Sequence, residues 1–216
     1  LEAERVQAAS RQLHQVPRIY EGMAHLLEND KIFKKWGKTP KDFDRAFYGT
    51  GFAGLCRIVI GQQVSTQAAD SLWARFQNGL PNITPNAALV LTPDEMRELG
   101  LSHQKAKYIL GLATAMNGGD FDPVALERMG DDEVLEAVTA LNGFGAWSAQ
   151  IYLMFCLARP DVFPADDLGI QEGLRLYLNL KERPTAAQVR EYGQVFAPHR
   201  TAASILLWHL KANPQL

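Results

Sequence analysis

Apolar residues along this chain recur at intervals of three and four between clusters of Gly, Pro and Asn, and strict alternation is scarce. That pattern predicts an almost entirely helical protein. Residues 1–29 read as one or two helices broken near Pro17, and KIFKKWGKTP as a basic turn. A long helix is expected from Gly51 or Phe52 to Phe76, bent near GQQVS, and then a linker, NGLPNITPNAALVL. TPDEMRELG carries a full helix-start signal: Thr92 as N-cap, Pro93 in the first helical position, and Glu95 to close a capping box. Further helices are expected in LSHQKAKYILGLATAMNGG, DPVALERMG, DDEVLEAVTALNG, GAWSAQIYLMFCLA, DLGIQEGLRLYL, TAAQVREYGQVF and PHRTAASILLWHL. About ten short helices are more than a four-helix bundle holds, so two helical lobes are the better picture.

Residues 131–157 read as helix, hairpin, helix. Val134, Leu135, Val138 and Leu141 give the first helix an apolar face; Trp147, Ile151, Met154 and Phe155 do so for the second. Between them, Asn142-Gly143-Phe144-Gly145 allows a sharp turn, with Phe144 placed to pin it to the core. Backbone amides at such a turn, opening a helix, suit a phosphate. On its own the hairpin is equally an αα-corner with glycine caps.

Composition constrains the chemistry. The 216 residues are 47% hydrophobic and 21% charged with a net charge of −2, so any interaction with nucleic acid must come from a local site. Only two cysteines occur, Cys56 and Cys156, both in apolar segments, and they read as buried small hydrophobes; an iron–sulfur cluster requires four. No apolar run is long enough to span a bilayer. LEAERVQAAS does not read as a signal peptide, and a leading Leu suggests that the native start lies upstream. An intracellular protein is expected, in the cytoplasm or nucleoid of a prokaryote or the nucleus of a eukaryote.

FPADDLGIQEG sets two carboxylates, Asp166 and Asp167, before a helix. Either could cap it, and both could. Two adjacent negative charges repel, so the charge that does not cap has to face solvent or a cation. A carboxylate turned toward a sugar could instead stabilise an oxocarbenium-like state or orient water.

LNGFGAWSAQIYLMFCLARPDVFPADDLGIQEG resembles the core of the helix-hairpin-helix DNA glycosylases, in particular the 3-methyladenine DNA glycosylase II (alkylbase) branch. RIVIGQQVSTQAADSLWARF, RELGLSHQKAKYILGLA and FAPHRTAASILLWHL resemble further segments of that branch in the same order, over roughly residues 50–211. The resemblance implies an all-α, two-lobed fold with the active-site cleft between lobes, in a compact form without the N-terminal β-rich domain of larger members. One lobe is expected from residues 1–50 with 161–216, the other from 51–160.

By resemblance, Asp167 is the catalytic carboxylate, Trp147 and Trp208 line the pocket of a flipped base, and Gly143 and Gly145 form a phosphate-binding turn. A monovalent cation at the hairpin carbonyls near Gly143 and Gly145 is part of that pattern. Gln63, with Gln62, matches the side chain that fills the gap left by the flipped nucleotide, and Ser102 and Lys105 match a second phosphate-contacting turn. Lys107, His199 and Arg200 are further candidates for DNA contact. Glycosylases that also nick DNA carry a lysine where this chain has Trp147, so the match implies a monofunctional enzyme with no cofactor, acting as a monomer on damaged duplex DNA. Electron-rich indole faces suit a cationic alkylated base.

Three departures bear on substrate range. Ala146 replaces an arginine, Ile151 replaces a tyrosine and leaves a more aliphatic pocket wall, and His199 replaces a tryptophan. The expected substrates are 3-methyladenine and 7-methylguanine, with hypoxanthine, ethenoadenine and 1-methyladenine as the alternative range. A same-fold enzyme for other bases and a non-catalytic DNA-binding module are the alternatives.

Overall fold

The computed structural model describes residues 11–215, so an expected helix before Arg11 lies outside the described residues. Among the described residues are eleven α-helices, five short 3-10 turns and one isolated bridge, Gln12 to Ala46. The helices are α1 Pro17–Asn29, α2 Phe52–Gly61, α3 Thr66–Gly79, α4 Pro85–Val90, α5 Pro93–Glu98, α6 His103–Gly118, α7 Asp131–Thr139, α8 Ala146–Phe155, α9 Leu168–Tyr177, α10 Ala186–Tyr192 and α11 Arg200–Ala212. No described helix is long and apolar enough to cross a membrane.

Local chemistry sets most of these boundaries. Thr92, Pro93 and Glu95 act as expected: Thr92 Oγ1 accepts from the Glu95 amide, and Glu95 Oε2 accepts from the Thr92 amide at 2.7 Å. The long helix expected over 51–76 is two helices. Ser65 accepts from Ala68 N and caps α3, while Gln63 adopts φ 57, and the chain turns between them. The segment NGLPNITPNAALVL is not all linker: Thr84 caps α4 and Pro85 opens it, a start signal hidden by the density of Pro and Asn. DPVALERMG yields only a 3-10 turn, Ala125–Arg128, because the chain is extended again at Met129. KIFKKWGKTP holds a 3-10 turn, Phe33–Trp36, closed by Gly37 at φ 61.

The chain forms two compact units, one from Tyr48 to Tyr152, the other from the residues up to Phe47 together with those from Leu153 onward. In the 48–152 unit, Leu55, Val59, Phe76, Met96, Ile109, Val134, Val138 and Phe144 are buried. Phe144 pins the hairpin turn as its place in the sequence suggested. Tyr152 is fully buried and its hydroxyl donates to the Thr50 carbonyl at 2.9 Å. Cys56 and Cys156 are buried thiols.

In the other unit α11 is the central element. Thr201, Ser204, Leu206 and Leu207 are buried along it, and α1 and α9 pack against it. At Gly173 of α9 an added Cβ would collide with the Leu207 carbonyl, so only glycine allows α9 to lie this close to α11. At its N-terminus α11 holds the segment leading to α9. Arg200 Nε and Nη2 donate to the two oxygens of Asp161 at 2.7 and 2.8 Å, and Thr201 Oγ1 donates to the Arg159 carbonyl at 2.6 Å. Hydrogen bonds from Arg200 hold the Asp161 carboxyl below its ordinary range.

A group with a lowered folded pKa contributes stability that is complete above its unfolded value and is lost as pH falls through the folded one. The Tm difference between the wild type and Asp161→Asn should therefore be full from pH 5 to 7 and close progressively below about pH 4. A series of thermal melts across that range measures it.

Candidate active site

Two constellations carry the residues singled out in the sequence, one in each unit. The first is the hairpin between α7 and α8. Gly143 stands at φ 88, and an added Cβ would collide with the Tyr108 ring of α6. Both the turn and the close approach of α6 therefore require glycine. Gly145 differs: its carbonyl accepts the first bond of α8, from Ala149 N at 3.1 Å, and nothing lies within 4 Å of where a Cβ would stand. That open side exposes the start of α8, where helix geometry leaves amides without intrahelical partners and the dipole favours an anion.

Gln62 is bound to this hairpin. Its Nε2 donates to the Gly143 carbonyl at 2.8 Å and to Ser148 Oγ at 3.0 Å. Gln63, the next residue, is exposed and left-handed at φ 57, a backbone state that favours glycine or asparagine. The pair is thus divided: Gln62 fixes the α2–α3 turn to the hairpin, and Gln63 is held outward in a strained conformation. Lys105 Nζ donates to the Ile60 carbonyl in the last turn of α2 at 2.7 Å, and burial lowers its pKa. One bond leaves two of the three ammonium donors for other acceptors. Ser102 Oγ accepts from Lys105 N and caps α6, whose N-terminus thereby faces the same problem of orphan amides. Trp147 is half-buried and Ile151 is buried on α8.

The second constellation surrounds Asp167. Its Oδ1 accepts from Ile170 N at 2.9 Å, capping α9, and from Trp208 Nε1 of α11 at 2.8 Å. An added Cβ on Gly169 would stand 2.8 Å from Trp208 Cδ1 and 2.9 Å from Asp167 Oδ1, so Gly169 leaves the space that this pair occupies. The Trp208 ring also packs near Phe155, with centroids 5.9 Å apart. Asp166 is exposed and ion-paired to Arg190 of α10 at 2.9 Å. The two adjacent carboxylates are therefore separated by function: Asp166 faces a cation and Asp167 caps.

Some assignments from sequence are occupied otherwise. The Arg200 guanidinium is engaged by Asp161, and the His199 ring packs against His25 at 5.1 Å. Sequence reading missed the anchor at Ser148 and the two glycines Gly169 and Gly173. The spacing of the glycines in LGIQEG, four residues apart on one helical face, was the available signal for a close helix contact.

Residues 56–199 match the model of the HhH-GPD superfamily base excision DNA repair proteins. The chain is 33% identical over 163 residues to DNA-3-methyladenine glycosylase 1 of Schizosaccharomyces pombe, covering 71% of this chain and 69% of that one. It is 26% identical to a DNA-3-methyladenine glycosylase of Bacillus subtilis, covering 77% of this chain and 61% of the relative. This chain thus spans between three-fifths and seven-tenths of these relatives' length. Among solved structures it is similar to the Schizosaccharomyces pombe 3-methyladenine DNA glycosylase (Mag1) in complex with abasic DNA, with a TM-score of 0.80 and 30% identity over 89% of this chain and 97% of that one. It is also similar to the 3-methyladenine DNA glycosylase of Archaeoglobus fulgidus, with a TM-score of 0.76 and 26% identity over 98% of this chain and 76% of that one.

The two hairpin glycines should respond differently to a methyl group. Gly143→Ala places Ala in a left-handed conformation against Tyr108, at a cost of roughly 1–3 kcal/mol and a Tm lower by about 3–10 °C. Gly145→Ala should leave Tm within about 2 °C and weaken duplex binding, because its methyl group obstructs the open side of the turn. Thermal melts and duplex titration of both variants separate these outcomes.

Proposed function

Because this chain belongs to the HhH-GPD superfamily of base excision DNA repair proteins, and within it to the 3-methyladenine DNA glycosylase II-like branch, we propose that it is a monofunctional DNA glycosylase. It hydrolyses the N-glycosidic bond of alkylated purines, 3-methyladenine and 7-methylguanine, in duplex DNA and leaves an abasic site. It works as a monomer inside the cell, in the cytoplasm or nucleoid of a prokaryote or the nucleus of a eukaryote. The observation that carries this reading is the Asp167 carboxylate, held by the Ile170 amide and the Trp208 indole.

Two donors to one carboxylate oxygen fix its direction. A fixed negative charge beside the sugar stabilises the oxocarbenium-like state formed as the base departs, and it can orient the attacking water. An alkylated purine is cationic and leaves readily, so little acid catalysis is needed. Trp147 stacks on the flipped base, and Trp208 combines pocket wall and carboxylate anchor. With tryptophan at the position where strand-nicking relatives carry lysine, no amine is available there for Schiff-base formation.

DNA is held mainly through backbone. The amides opening α8 beyond Gly145 and those opening α6 beyond Ser102 take phosphates, supported by the remaining donors of Lys105. Gln63 enters the gap left by the flipped nucleotide. The hairpin carbonyls of Leu141, Gly143 and Gly145 each accept one hydrogen bond and keep a second lone pair. They fit a monovalent cation, whose charge would reinforce phosphate binding.

Asp167→Asn keeps a side-chain oxygen for the cap and removes only the charge, so it should fold and bind duplex. Release of free base from methylated DNA, followed by chromatography, should fall by about 100-fold or more. Retained full activity would falsify the assignment of Asp167. Borohydride trapping of a covalent complex would instead indicate a lyase.

A further inference from the structure

Gln150 is an unexplained feature of α8. Its Oε1 is buried and has no hydrogen-bond partner among the described residues. Leaving a buried acceptor unmade is costly, and native proteins mostly avoid it. Three other buried side-chain atoms share this condition, in Gln12, His14 and Trp36. None of these lies on the hairpin, on α8 or on the segment that carries Asp167.

Gln150 stands three residues after Trp147, so the two side chains leave neighbouring positions on one face of α8. Both residues are half-buried, whereas Ser148, Ala149, Ile151 and Tyr152 around them are buried. The rest of this stretch is therefore packed, and Trp147 and Gln150 are the residues of α8 here with both buried and accessible surface; the Gln150 oxygen itself is enclosed and meets a ligand only when the side chain turns. Stacking on an aromatic ring and hydrogen bonding to a base edge are the two contacts by which proteins read an extruded base.

We propose that Gln150 is a specificity-determining residue whose amide oxygen accepts a hydrogen bond from the exocyclic amine of a flipped 6-aminopurine. The inference rests on the glycosylase reading above and on Trp147 as the stacking partner. A 6-aminopurine such as 3-methyladenine presents a donor at C6. At the same ring position 7-methylguanine presents an oxygen, which opposes the amide oxygen. The acceptor on Gln150 thus favours alkylated adenine over alkylated guanine.

The test compares release of 3-methyladenine and 7-methylguanine from the same methylated duplex by wild type and Gln150→Leu, a variant of similar volume without the amide. The ratio of 3-methyladenine to 7-methylguanine release should fall by about tenfold. Tm should not fall, because the substitution removes a buried group that lacks a partner. An unchanged ratio, an equal loss of both activities, or a ratio shifted toward 3-methyladenine overturns the proposal. A lower Tm with an unchanged ratio assigns the amide a structural role and overturns it as well. If the wild type releases neither base, the glycosylase reading itself fails and the inference falls with it; an active wild type with an unmoved ratio removes the inference alone.

Discussion

The approach of α9 to α11 across Gly169 and Gly173 is the constraint on which the candidate centre depends. Gly173 has no room for a side chain against the Leu207 carbonyl, and Gly169 has none against the Trp208 indole and the Asp167 carboxylate. Only because the helices lie this close does Trp208 reach Asp167 Oδ1. The Asp161–Arg200 pair and Thr201 fasten the preceding segment to the same helix, so Asp167 is located from both sides by α11. The two donors named here, the Ile170 amide and the Trp208 indole, are neutral groups that fix the direction of Oδ1. The neighbouring carboxylate, Asp166, is bonded to Arg190.

The hairpin follows a related logic. A chain with net charge −2 has little general attraction for DNA. Its nearby lysine, Lys105, devotes one donor to the end of α2. The proposed phosphate binding by backbone amides needs them held in place, and Gln62 and Tyr108 hold the turn. Gln62 joins the α2–α3 turn to the hairpin, and the Tyr108 ring of α6 lies against Gly143. Three elements separated in sequence are locked together around one turn, and Gln63 is presented from one of them.

What the sequence revealed, and what it hid, divides by range. Thr92-Pro93-x-Glu95 and the apolar pins of the hairpin were legible because their partners lie within a few residues. The capping role of Asp167 was legible for the same reason, although Asp166 offered the same signal. The bend near GQQVS was legible too, but not that it would end one helix and begin another through a left-handed Gln63, since that state is maintained by contacts that local propensity does not encode. Helix α4 was obscured by composition, because Pro85 looks like a breaker unless Thr84 is read as its cap. The bond from Gln62 to Gly143 spans 81 residues and that from Trp208 to Asp167 spans 41. Such pairs appear only when the fold brings them together, and sequence reading could offer candidates for a site without saying which residue would hold which.

This division also relocates the question of substrate range. The departures from the alkylbase pattern pointed to Ile151, where a tyrosine is expected. Ile151 is buried on α8. The neighbouring Gln150 was unremarkable in sequence, and on α8 it carries a buried acceptor with no partner among the described residues. A hydrophobic wall discriminates weakly between purines of similar shape, whereas an unpaired polar group discriminates by the cost of leaving it unsatisfied. On the proposal above, the physical leverage over which base is removed sits at Gln150, one residue before Ile151, itself one of three departures from the alkylbase pattern.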